Sequence, residues 1–145
     1  MIIDAQNLLW DAAALTSDAA STNSYDSGAA GNDISIGEPL ALVITVDVAA
    51  DFTTADETYE FQVIQSANAN LSSPDILIAR TVLAATLVAG ARVVIPIPPG
   101  SKTKRYLGGY FNGGGTTPTI TVTAFIQPMN MLDIQKYYPN GYTIS

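Results

Sequence analysis

Neither cysteine nor histidine occurs anywhere in the chain. Without cysteine there are no disulfides and no thiolate metal sites, and nothing marks an oxidising compartment. Without histidine the commonest general base and the commonest transition-metal ligand are missing together. Ser/His and Cys/His catalysis are therefore excluded, and an enzyme built on this chain would have to work with carboxylates, lysine or tyrosine. Charge is scarce as well: Asp, Glu, Lys and Arg make up 13% of the 145 residues. So few charges point to a surface that partly meets another protein; the plainer alternative is a small sandwich surfaced with Thr, Ser, Asn and Ala.

Basic residues are absent from the first 79 positions, which hold twelve of the thirteen acids. The remainder holds all six bases and a single acid, Asp133. Such a split either steers docking or disappears on folding, when strands from both halves interleave. Nucleic-acid binding is not expected, because Lys102, Lys104 and Arg105 form the only basic cluster and acids outnumber bases twofold. No membrane span is expected either. Arg80, Gly90, Arg92 and Pro96 interrupt the longest apolar run, residues 76–99, before it reaches the roughly 20 residues a span needs. The opening Met1-Ile2-Ile3-Asp4 lacks the basic stretch of a signal peptide, so the expected place of synthesis is the cytoplasm.

What is present is apolar and alternating. Hydrophobic residues make up 48% of the chain, and the mean hydropathy is +0.23, as in a chain that folds around one core. In KRYLGGYFNGGGTTPTITVTAFIQP (residues 104–128), Leu107, Gly109 and Phe111 alternate with Tyr106, Gly108 and Tyr110. Ile120, Val122, Ala124 and Ile126 then alternate with Thr119, Thr121, Thr123 and Phe125. Period-two alternation specifies pleated strands, and the glycines between the halves predict a hairpin closed by a Gly-rich loop. Pro39 precedes a second long strand, LALVITVDV, apolar on nearly both faces and so expected to be central. Tyr59, Phe61 and Val63 alternate with Glu60, Gln62 and Ile64 in a third. Residues 21–26, 75–82 and 91–97 read as further strands, the last confined to an edge or ended by Pro96, Pro98 and Pro99.

Leu8, Leu9 and Ala12 fall at helical spacing, so residues 4–15 are expected to form a short helical turn or arm. Trp10 either plugs one end of the sandwich or anchors the arm on a neighbouring subunit. The prediction is an all-β antiparallel sandwich of jelly-roll type with seven or eight strands. It comprises an N-terminal arm (residues 1–19), the sandwich (20–127) and an extended C-terminal tail (128–145). The tail carries Tyr137, Tyr138 and Tyr142 around Pro139-Asn140-Gly141. These tyrosines are either partner anchors, since Tyr gives large contact area at little entropy cost, or part of the chain's own core.

No constellation reads as an active site, and no cofactor is expected. The acidic loop of residues 51–57, with Asp51, Asp56 and Glu57, has the hard oxygens calcium takes. Its spacing is not that of an EF-hand, and such a loop is commonly just solvated. The glycines of GGYFNGGG lack the GK[ST] of a phosphate loop.

Three segments carry a resemblance: DAQNLLWDAAALTSDAASTNSYDSGA (residues 4–29), IGEPLALVITVD (36–47) and LVAGARVVIPIPPGSKTKRYLGGYFNGGGTTPTITVTAFI (87–126). In this order the chain resembles the capsid cement (decoration) proteins of tailed bacteriophages, short jelly-roll proteins that staple neighbouring hexons and pentons. The resemblance implies a non-enzymatic structural protein on the capsid exterior of a virion. Its partner would be the major capsid protein of the same phage, and it would act as a homo-oligomer, a dimer before a trimer. Inferred contact residues are Trp10, Tyr137, Tyr138 and Tyr142 as anchors and Lys102, Lys104 and Arg105 as rim charges. The alternative is a carbohydrate- or receptor-binding jelly roll, with Trp10, Tyr106 and Tyr110 as a stacking platform.

Overall fold

Alternating residues become nine strands in a computed structural model that describes residues 7–28, 40–98 and 100–128. They are β1 (Leu8–Leu15), β2 (Ala19–Ala20), β3 (Tyr25–Asp26), β4 (Leu40–Val48), β5 (Thr58–Ser66), β6 (Asp75–Val82), β7 (Arg92–Pro96), β8 (Tyr106–Gly114) and β9 (Ile120–Pro128). One sheet runs β1-β9-β4-β7; the other runs β2-β8-β5-β6, with β3 also on β8. All the pairings are antiparallel. The two layers bury Leu42, Ile44 and Val46 of β4 and Ile120, Val122 and Ala124 of β9 against Tyr59, Phe61, Leu107 and Phe111 of the facing sheet. The expected sandwich is therefore present. As expected, β4 is flanked on both sides, and β7 is an edge strand that ends at Pro96.

Three expectations are corrected. The first is the hairpin: β8 lies in one sheet and β9 in the other, so residues 115–119 arch across the sandwich instead of joining neighbours. Alternation specifies a strand with one buried face, and it is the same whether its successor pairs beside it or faces it across the core. The arch is shaped by Gly115, at φ +84°, where a Cβ would stand 2.2 Å from the carbonyl oxygen of Asp56.

The second is the helical turn, which from Leu8 onward is strand β1 on β9. Register shifts between Leu8 and Trp10 and again between Trp10 and Ala13, with Ala12 at φ 45°, put Leu9 and Trp10 both inside. A bulge adds a residue to one strand, and two of them within six residues turn a period of two into spacing that imitates a helix. The third is the strand at residues 21–26, which divides into β2 and β3. Between them the chain leaves the ladder: the Asn23 amide (3.1 Å) and Thr22 hydroxyl (3.0 Å) both donate to the Leu9 carbonyl.

The adjacent glycines of β8 serve opposite faces. A Cβ on Gly109 would meet the Trp10 ring at 2.9 Å, so the indole crosses from the other sheet and rests on bare backbone. One on Gly108 would lie 2.3 Å from Leu71, whose loop folds over the outer face of the same strand.

Candidate interaction surface

Loops of the sandwich collect at two ends. Lys104 and Arg105 lie at the end formed by the β3 terminus and the β5–β6 and β7–β8 connections. There they are engaged within the chain. Arg105 grips Asp26 through two bonds of 2.7 and 2.9 Å, and Lys104 reaches Asp75 at 2.7 Å. Asp26 also accepts the Gly28 amide at 2.8 Å. The Arg105 guanidinium, with the Gly28 amide second, holds the Asp26 carboxyl down at about 2. Arg105 also lies over the Tyr106 ring, 5.2 Å from its centre.

Lys102 does not serve as a rim charge: it is 3% exposed, and burial lowers its pKa. Trp10 is not an exposed anchor either, being 1% exposed in the core. The large ring and the long alkyl stem gain more by filling the interior than by facing water. Trp10 therefore shares no face with Tyr106 and Tyr110, which flank Gly108 on the outside of β8, and the three rings form no platform. Tyr137, Tyr138 and Tyr142 lie outside the described residues.

The opposite end is formed by residues 16–18, 49–57, 83–91 and 115–119. It is tied together by backbone bonds from Ala50 to Leu87 and from Asp51 to Thr119, each 2.9 Å. The Tyr59 hydroxyl donates to the Asp51 carbonyl and accepts the Thr119 amide at 3.2 Å. The carboxylates here are held by neutral donors. Asp56 accepts the Thr54 hydroxyl (2.6 Å) and the Thr116 amide and hydroxyl (3.1 and 3.0 Å). Asp51 accepts from Thr53, and Glu57 from the Thr54 hydroxyl and amide. These bonds, Thr54 first in each case, hold Asp56 and Glu57 below the usual carboxylate range. The loop thus keeps its negative charge with each carboxylate bonded to a threonine, while Oε2 of the buried Glu57 is left without a partner. Among the described residues no three such side chains come together as metal ligands.

Beside these acids stand apolar side chains that composition did not single out. Val48, Phe52, Leu83 and Val88 are 59%, 47%, 74% and 56% exposed, and all four belong to this end. Among the described residues the one other large apolar side chain so exposed, Ile76, sits at the start of edge strand β6. Phe52 and Leu83, with Val82, Ala84 and Ala85, wall a groove of about 320 Å³ bordered by Asp56 and Glu57. The available signal was length: the run from residue 83 to 91 holds more apolar residues than a β6–β7 connection needs.

A second, polar hollow of about 290 Å³ lies over Gly113 and Gly114, between Thr58, Glu60, Thr81 and Asn112. Its acid is already occupied, because Glu60 accepts from Gln62 and from Asn112 (3.2 Å).

No curated protein matches the chain. A family model described as Bbp16 matches residues 9–126, from the start of β1 almost to the end of β9, and the chain belongs to the Bbp16 family.

Proposed function

We propose that this protein is a structural component of a phage virion that binds the outside of the capsid lattice and staples neighbouring major capsid subunits. The observation that carries the reading is where the cement-like segments fall. Residues 4–29, 36–47 and 87–126 contain β1 and β7 and all but the last one or two residues of β4 and β9, the four strands of one sheet, together with β2, β3 and β8. The resemblance thus covers nearly the whole of one layer and about half of its partner. Support also comes from the exposed apolar side chains at one end, which a free protein keeps in water at a cost. A homo-oligomer, dimer before trimer, belongs to the same reading. So does the expected setting, the capsid exterior of a particle assembled in the bacterial host.

The test is sedimentation with empty expanded capsids of the encoding phage that lack their own decoration. Saturable co-sedimentation at a fixed ratio to the capsid protein, with no binding to free capsid subunits, is the expected result. Equal binding to lattice and free subunits removes the stapling role. The carbohydrate- or receptor-binding alternative loses its ring platform with the burial of Trp10; hits above background on a glycan array would restore it.

A further inference from the structure

We infer that the end built from residues 47–57 and 83–88 is the docking face, and that it fits a protein surface carrying an apolar projection ringed by lysine or arginine. This inference rests on the capsid-binding reading and adds to it the face used and the chemistry of the surface it meets.

Two observations on the same residues carry it. Apolar exposure is concentrated here: Val48, Phe52, Leu83 and Val88 are each about half exposed or more, and Phe52 and Leu83 open a groove between them. Charge is one-sided here as well. The four loops of this end hold Asp18, Asp51, Asp56 and Glu57 and no Lys or Arg, and Asp47 stands at the end of β4 beside them. Two bases stand just outside these loops. Arg80 donates to the Val94 carbonyl at 2.9 Å, and Arg92 opens β7 opposite Thr45. An apolar centre inside a rim of one sign is how a docking patch combines affinity with orientation.

Charge also decides among occupants. A second copy presenting the same end would set these carboxylates against their own kind, so a symmetric end-to-end dimer is disfavoured. A second copy presenting the opposite end brings Lys104 and Arg105 already paired with Asp75 and Asp26. The residues of this chain outside the described ones contribute a single base, Lys136, against four acids, Asp4, Asp33, Glu38 and Asp133. The complement must come from a different, basic protein surface.

The experiment uses the full chain and the undecorated capsids. Leu83→Ser and Phe52→Ser change exposed side chains, and thermal unfolding of each variant confirms that the fold is kept. Each is expected to weaken capsid binding by about tenfold or more, the effect of losing a central interface residue. Ala69→Ser, on the exposed β5–β6 connection at the other end, is expected to change it by less than about twofold, as remote positions do. Binding by the wild type should also weaken as salt rises. If wild type binds and both apolar variants bind equally well, the docking face lies elsewhere and the capsid-binding reading survives. If binding is indifferent to salt, the basic rim is wrong. If wild type binds no capsid, the functional reading fails and this inference with it.

Discussion

The two ends of the sandwich handle charge in opposite ways. At the end holding Asp26 and Asp75, each carboxylate has a cation of its own, Arg105 and Lys104, and the third long cationic chain, Lys102, is folded inward. At the other end Asp51, Asp56 and Glu57 are bonded to threonines and, among the described residues, to no cation, and apolar side chains stand out beside them. Ion pairing cancels the field that an end projects; neutral donors fix a carboxylate in place and leave its charge to act outward. The first end is finished by its own chain. The second is organised but uncancelled, which is the state expected of a surface completed by something else.

The comparison breaks most completely at Gly115. Its positive φ and the 2.2 Å approach to the Asp56 carbonyl leave no room for a methyl group. Gly115→Ala is expected to cost roughly 2–5 kcal/mol, combining a left-handed penalty with overpacking. Urea unfolding would show it as a lower midpoint at an unchanged slope. Because Asp56 and Thr116 meet beside this residue, the variant should also disturb the acidic face and, under the proposed function, weaken capsid binding along with stability.

A smaller effect is expected at Tyr59. Its hydroxyl joins the 49–57 loop to the β8–β9 arch by donating to Asp51 and accepting from Thr119. Tyr59→Phe keeps the ring, which packs 6.0 Å from Phe111, and leaves those two backbone groups short of a partner. The expected cost is roughly 1–3 kcal/mol. Amide hydrogen exchange should be faster at Thr119 and unchanged at Gly28, on the other end, if the damage is local.

What could be read from the chain divides along the same line. Strands were legible because burial of one face writes itself into every second residue, as in Leu42, Ile44 and Val46. Pairing was not, because Ile120–Pro128 would alternate identically beside β8 or across from it. Trp10 reads from the sequence as a plug before an anchor, and Gly109 beneath it places it in the core; a ring and the glycine that receives it lie about a hundred positions apart. The one-sidedness of the charge was visible as a split between the halves of the sequence. Where it would come to rest was not, since Asp26 and Asp75 belong to the acidic half and fold against Arg105 and Lys104. Phe52 and Leu83 come from separate loops, and only the closed sandwich brings them to one groove.

The smallest expected effect sharpens the contrast most, because it separates paired charge from unpaired charge by pH and salt. Asp26 titrates at about 2 when folded, against 3.8 for an unperturbed aspartate. A carboxylate with a depressed folded pKa contributes stability that is fully present above its unfolded value and is lost as pH falls through its folded one. The difference in urea midpoint between wild type and Asp26→Asn should therefore hold at pH 5, close between pH 3.8 and about 2, and vanish below. Asp26 and Arg105 are both about half exposed, so added salt should shrink that difference at pH 5. Asp56 lies in the same acidic direction but is held by Thr54 and Thr116. With hydroxyl and amide donors in place of an ion pair among the described residues, the penalty of Asp56→Asn should persist in high salt. A salt-insensitive Asp26→Asn or a salt-sensitive Asp56→Asn would mean that the two ends are stabilised alike, and the distinction between a self-completed end and an open one would be lost.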